Sequence, residues 1–263
     1  MKNIEKKAIQ IAQKAGKALL KEFRKEDSSI RRTSKGIKTL FDLLADKIIK
    51  KEIEKNFPDH SYLTEETGLI DKGSDYLWII DPLDGTSNFV NHNPFFSVSI
   101  ALWHKGKPIL GVIEVPALKE RYVAVAGKGA FVYDLMRNKK RKAKVSNVKD
   151  LKNSYWVFCE GGENKRKRIA NIFYNMYPKV KEYRKIGSAA IELAWVGTGR
   201  AEGYATTKIS VWDLAAGMLF VKEAGGKNLH FNGSAYKWKE FLIGDGFDFM
   251  ATNGKIKVNI HPR

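Results

Sequence analysis

The chain has 263 residues, 43% of them hydrophobic, and 47 lysines and arginines against 29 acids leave a formal charge of +18. That much apolar material buries a substantial core as one compact unit or two small ones and excludes a disordered chain. A single cysteine, Cys159, excludes an intramolecular disulfide and any multi-cysteine zinc site, and no apolar run approaches the roughly 20 residues of a membrane span. In chain order, Ile4, Ala8, Ile11, Ala12, Ala15, Leu19 and Phe23 fall on one face of a helix predicted over residues 2–25. Acids among its lysines argue against a signal peptide, so the expected location is cytoplasmic. A second helix is predicted over 40–56, then a strand ending at Asp81. Antiparallel strands follow over 96–102, 109–115, 121–126 and 130–133, separated by turn signals at Lys105-Gly106-Lys107, Pro116 and Gly127-Lys128-Gly129. Residues 136–144 are very basic and lose the apolar pattern, which marks a boundary between an α+β domain over 1–140 and an α/β domain over 141–263. Beyond it, strands over 154–159 and 180–186 alternate with helices over 165–176 and 188–196. A helix near Asp213 runs to Gly225-Gly226, a normal glycine stop, and strands over 228–231 and 241–243 close the chain.

Residues 78–89 read Trp-Ile-Ile-Asp-Pro-Leu-Asp-Gly-Thr-Ser-Asn-Phe. An apolar strand ends in two carboxylates three apart, Asp81 and Asp84, and carboxylate oxygens suit hard cations. Pro82 fixes its own φ and biases Asp81 toward an extended conformation, so the strand is expected to break there and turn both acids toward one point. A helix starting near Gly85 would aim free N–H groups at the same point, where a phosphate could sit. Glu65 and Glu66 end a short apolar stretch upstream, and Ser210-Val-Trp-Asp213-Leu-Ala-Ala-Gly217 adds an acid at a helix start downstream. Each has a plainer reading: a solvated turn for Asp81 and Asp84, and a first-turn helix acid for Asp213.

In these three segments, with Glu223-Ala-Gly-Gly226, the chain resembles the inositol monophosphatase family, within the lithium-sensitive, magnesium-dependent phosphatases. Their order and spacing carry the likeness over about residues 39–253. The resemblance implies a layered αβαβα sandwich of the sugar-phosphatase type, usually as a homodimer, with the metal cluster between its halves. It makes Glu65, Asp81, Asp84, Asp213 and the backbone carbonyl of Leu83 ligands to two or three Mg2+ ions, and leaves Glu66 outside that set. It also pairs Thr86 with Asp42, in Thr39-Leu-Phe-Asp42, as the groups that position and deprotonate the attacking water. Leu40, Phe41, Leu43, Leu44, Ile48 and Ile49 equally make Asp42 a polar position on an amphipathic helix. Two cations stabilise both oxygens of an in-line displacement, and cations with N–H donors at Gly85 and Thr86 neutralise the phosphoryl charge.

The implied substrate is a small phosphorylated polyol or sugar, inositol 1-phosphate first, lined by Gly187, Ser188 and Ala189. Inositol-selective members carry a Glu seven residues before the acid of the Trp-Asp element, where this chain has Thr206. A carboxylate that accepts two ring hydroxyls is therefore missing. Lys208 nearby suits a second phosphate, so fructose 1,6-bisphosphate is the alternative, and adenosine 3′,5′-bisphosphate a third. RNA or the transcription machinery is the alternative of another class. The clusters at 139–142 and 165–168 read as solvated basic faces, since no aromatic ladder interleaves them. Tyr155, Trp156, Val157 and Phe158 make Cys159 a strand thiol rather than a nucleophile. The glycine run from Gly197 to Gly203 is one residue too long for a dinucleotide fingerprint and reads as a turn.

Overall fold

A computed structural model describes residues 1–25, 31–33, 36–160, 166–238, 240, 246–258 and 260. Helix α1 (Lys2–Glu22) buries Ala8, Ile11, Ala12, Ala15 and Leu19, one face at helical spacing, as the periodicity requires. A short hairpin, β1 (Arg31–Thr33) and β2 (Gly36–Lys38), leads to α2 (Leu40–Asn56), which lies against α1 and buries Ala45, Ile49 and Ile53. Both helices cover one face of an eight-stranded sheet.

That sheet contains β3 (Ser61–Thr64), β4 (Gly68–Ile70), β5 (Tyr76–Asp84), β6 (Ser97–His104), β7 (Lys107–Val115), β8 (Glu120–Val125), β9 (Gly129–Asp134) and β10 (Lys139–Lys142). Its order is β10-β9-β8-β7-β6-β5-β3-β4, antiparallel throughout except where β3 lies parallel to β5. Alternation splits β5 between two cores: Trp78 and Ile80 face α1 and α2, while Ile79 faces the opposite side. The second sheet runs β12-β11-β13-β15-β14, from β11 (Tyr155–Glu160), β12 (Glu182–Arg184), β13 (Gly203–Ile209), β14 (Lys227–Leu229) and β15 (Phe247–Thr252). Between the sheets lie α5 (Ala189–Gly197) and α6 (Val211–Glu223). Both are apolar nearly all round because they are covered on every side, by Ile113 and Val115 of the first sheet and by Val157, Tyr204 and Phe249 of the second. Outermost is α4 (Arg166–Met176), whose Ile169, Ile172 and Met176 pack on Trp156, Phe158 and Met250. The layers are therefore helix, sheet, helix, sheet, helix, the sandwich that the family resemblance implies.

The two inner helices approach closely because glycines face large side chains. A Cβ at Gly217 would stand 2.5 Å from Leu193 Cδ1 and 2.7 Å from its Cβ. Gly217→Ala is accordingly expected to cost about 1–3 kcal/mol of stability by forcing α5 and α6 apart. Equilibrium denaturation reads this directly, and an unchanged midpoint would mean that the contact yields without cost.

Several elements depart from the periodicity. Residues 139–142 form an edge strand: all four basic side chains are exposed, so no alternation exists to read, and the strand is held by backbone pairing with β9 and by Lys140 Nζ over the Phe131 and Tyr133 rings. The glycine-rich stretch read as a turn delivers Gly203 into β13, where a Cβ would lie 2.4 Å from the Trp156 ring; the small residue admits the indole. Strands β1, β2, β3, β4 and β15 were also not marked by pattern, and β12 is shorter than the stretch predicted over 180–186. The strand expected over 241–243 lies outside the described residues.

Candidate active site

Strand β5 does not stop at Asp81; it bulges. Asp81 pairs with Ser99 and Asp84 with Ser97, so three steps on β5 span two on β6. Regular alternation would send residues three apart to opposite faces, and the one extra residue brings Asp84 back to the side of Asp81. Pro82, which has no N–H to give the ladder, occupies the irregular stretch. Gly85, with φ 86°, then ends the strand, and a Cβ there would meet the Phe95 carbonyl oxygen at 2.7 Å. The short helix α3 (Thr86–Val90) follows at once.

Asp213 arrives from the other half of the chain as the third residue of α6, where its Oδ2 accepts the Ser210 N–H at 3.2 Å. One oxygen from each of Asp81, Asp84 and Asp213 lies within 4.8 Å of the other two. Asp81 Oδ2 is buried and has no hydrogen-bond partner. An unpartnered buried acceptor on a residue clustered with two further carboxylates fits a hard cation, which would neutralise the cluster. In the metal-free chain the crowding shifts all three. Burial pushes Asp81 well above the ordinary carboxylate range, with further upward pressure from Glu65, Asp213 and Asp84. Burial, then the charge of Asp84, pushes Asp213 up to about 7. Burial also raises Asp84, against the hydrogen bonds it receives.

These raised values set a sign. The folded, metal-free protein binds these protons more tightly than the unfolded chain, so its stability is greatest below about pH 4 as far as these groups contribute, and falls as pH rises toward about 7. A divalent cation competes with those protons. Adding Mg2+ to chelator-treated protein should therefore raise the melting temperature more at about pH 8 than at about pH 5, and equal shifts would refute the coupling.

Asp84 has its own cradle. Its Oδ2 accepts from Ser97 Oγ at 2.9 Å, from the Ser188 hydroxyl and from Ala190 N at 3.1 Å; its Oδ1 accepts from Ala189 N at 3.0 Å. Gly187 (φ 82°) and Ser188 thus present the start of α5 to this carboxylate. Thr86 reaches Asp42: its Oγ1 lies 2.9 Å from Asp42 Oδ1 and 3.0 Å from the Leu83 carbonyl oxygen. Asp42 is the third residue of α2 and closes a capping box, its Oδ2 accepting from Thr39 N at 2.7 Å and Thr39 Oγ1 at 2.6 Å. Burial raises its pKa, and the Thr39 and Thr86 hydrogen bonds oppose the shift. The amphipathic pattern disguised it: Leu40, Leu43 and Leu44 are exposed, whereas Asp42 is 3% exposed.

Not every expected residue joins the cluster. Glu65 follows β3, in register with the end of β5, and its charge bears on Asp81, yet it is exposed and outside the three-carboxylate group. Thr206 is fully buried in β13, opposite Cys159 and Phe249, and offers no hydroxyl at the surface. Cys159 is a strand thiol pushed well up by burial. The reading of the sequence missed Ser97, which only the bulge places against Asp84, and Glu192, which looks like one more residue of an apolar helix.

Comparison with known proteins agrees with this architecture. The model of the inositol monophosphatase family matches residues 1–261. The chain is 38% identical over 234 residues to a Nus factor SuhB of Pasteurella multocida, covering 86% of this chain and 84% of that one. It is 37% identical over 243 residues to a fructose-1,6-bisphosphatase/inositol-1-monophosphatase of Thermotoga maritima, covering 91% and 90%. An IMPase structure from Thermotoga maritima superposes with a TM-score of 0.84 at 33% identity, covering 97% of this chain and 93% of that one. A five-layered sandwich with an acidic cluster able to hold a metal ion defines a metal-dependent phosphatase. This chain belongs to the inositol monophosphatase family. No helix among the described residues is long and apolar enough to cross a membrane.

Proposed function

We propose that the chain hydrolyses phosphate monoesters of small polyols and sugars, inositol 1-phosphate first, using Mg2+ held by Asp81, Asp84, Asp213, Glu65 and the Leu83 carbonyl. The observation that carries this is the convergence of three carboxylates within 4.8 Å beside the Thr86–Asp42 pair. When bound, two or three Mg2+ ions supply charge neutralisation at the phosphoryl group and a lowered pKa for water. The chain's own groups do the rest. Thr86 and Asp42 orient the attacking water, and its proton passes by way of the Thr86 hydroxyl to Asp42, whose burial-raised pKa suits an acceptor. N–H groups of Gly85 and Thr86 steady the phosphoryl oxygens. As the new P–O bond forms the ester P–O bond breaks, and the leaving oxygen is protonated by solvent. Gly187, Ser188 and Ala189 border the polyol. Thr206, buried, contributes shape rather than a hydrogen bond.

A second reading, dual action on fructose 1,6-bisphosphate, is favoured by the name of the Thermotoga relative and by Lys208, an exposed cation on β13 close to Asp213 in sequence. The test is phosphate release from inositol 1-phosphate, fructose 1,6-bisphosphate and adenosine 3′,5′-bisphosphate with Mg2+ titrated. Turnover of the first two is expected to need Mg2+ and to vanish in Asp84→Asn. Turnover confined to the nucleotide would move the substrate class, and full turnover by Asp84→Asn would overturn the metal assignment. RNA binding, the alternative that the +18 charge raises, would survive that substitution and weaken steeply with salt.

A further inference from the structure

We infer that Glu192 is a positioning residue: from inside α5 its carboxylate ties down the Ile186–Gly187 turn and so sets Asp84 against Asp81 and Asp213. The inference rests on the reading of Asp84 as a metal ligand. Glu192 is 0% exposed, on a helix whose neighbouring positions are Ile191 and Leu193. A carboxylate in such a place costs stability unless something uses it. Its Oε1 accepts the N–H groups of Ile186 at 2.7 Å and Gly187 at 3.1 Å. Its Oε2 is buried with no partner, so packing alone does not explain the residue.

The turn is gripped from the other side as well. Asn88, on α3, donates through Nδ2 to the carbonyl oxygens of Ile186 at 2.8 Å and Gly187 at 3.2 Å. Two side chains thereby hold the N–H and C=O groups of two consecutive residues, with Asn88 Nδ2 sharing its two hydrogens among these carbonyls and that of Phe95 at 2.8 Å. Gly187 stands at φ 82°, a conformation that glycine visits freely but does not prefer, so the grip has to come from outside the turn. The next groups in the chain are the Ser188 hydroxyl and the N–H groups of Ala189 and Ala190, which hold both oxygens of Asp84. The path from Glu192 to Asp84 is thus one continuous run of hydrogen bonds and backbone.

The test measures Mn2+ binding to chelator-treated protein by electron paramagnetic resonance, beside kinetics and melting temperature, in Glu192→Gln, Glu192→Asp and Glu192→Met. The Gln variant keeps an acceptor for both N–H groups and should bind within about threefold of the parent; the Met variant keeps none and should bind roughly tenfold or more weakly, with Asp between. In the Met variant kcat should recover at saturating cation while the half-saturating concentration rises. A Glu192 needed only for folding would lower the melting temperature in the same order and leave the binding constant and the cation dependence of kcat unmoved, which would overturn the inference. If the Met variant does not fold, the Gln and Asp pair decides, and equal binding by both overturns it. Mn2+ binding that persists unchanged in Asp84→Asn would take down the metal reading and this inference with it, whereas normal binding in all three Glu192 variants removes Glu192 alone.

Discussion

Asp213→Asn is expected to cut Mg2+-dependent phosphate release by roughly 10³-fold or more, equivalent to about 4 kcal/mol of barrier, and at the same time to stabilise the metal-free protein. The first half follows from the cluster. Asp213 is the one carboxylate of the three contributed by the second half of the chain, and without it the group that would hold a cation is reduced to Asp81 and Asp84. The second half follows from the same charges in the absence of metal. Burial and the charge of Asp84 hold Asp213 at about 7, so above that pH the fold carries a carboxylate that the unfolded chain would ionise freely near 4. An amide removes this penalty while still accepting the Ser210 N–H that caps α6. The gain should therefore grow as pH rises from about 4 to about 7 and level off above, reaching an order of 1–3 kcal/mol. Paired measurements check it: steady-state phosphate release with saturating Mg2+, and chemical denaturation in chelator at several pH values. A variant that is inactive but also less stable at about pH 8 would mean that Asp213 is chiefly a helix cap.

Thr86→Ala is the second large effect, with a different signature. The hydroxyl touches Asp42 and the Leu83 carbonyl but is not one of the clustered oxygens. Its removal should lower kcat by roughly 10²–10⁴-fold, the range for a lost proton-transfer group, while cation binding stays near that of the parent. Thr86→Ser keeps the hydroxyl and should restore most of the rate. Asp42→Asn should resemble Thr86→Ala in rate and lose the acidic limb of the kcat/KM profile, a limb expected above the ordinary carboxylate range because burial raises Asp42. Stopped turnover with intact Mn2+ binding separates these groups from Asp213; a loss of cation binding in Thr86→Ala would place the hydroxyl among the ligands instead.

Much of this was visible in the amino-acid order, and the exceptions are informative. The helices over 2–22 and 40–56 and strands β5 to β9 of the first sheet carry their own periodicity, because each buries one face or stripe against a neighbouring layer. Strand β10 carries none, since an exposed edge is specified by its partner's backbone. Strand β13 hides behind glycine, which is there to admit Trp156 from the adjacent strand. Asp42 hides among leucines that turn out to be exposed.

For the site, local chemistry in the chain determined which residues are capable: two acids three apart with a proline between, a glycine to end the strand, a hydroxyl after it, and a third acid at a helix start. Which of them meet was decided only by pairing between distant segments. A single extra residue against β6 turns Asp84 to the side of Asp81, α6 brings Asp213 across from the other half, and the start of α5 grips Asp84. Glu65, equally acidic on paper, stands exposed at the rim, and Glu192, hidden in an apolar helix, supports the centre. Hydrogen-bond geometry between residues about a hundred positions apart has no periodic trace in the order of the letters, so only the folded chain displays it.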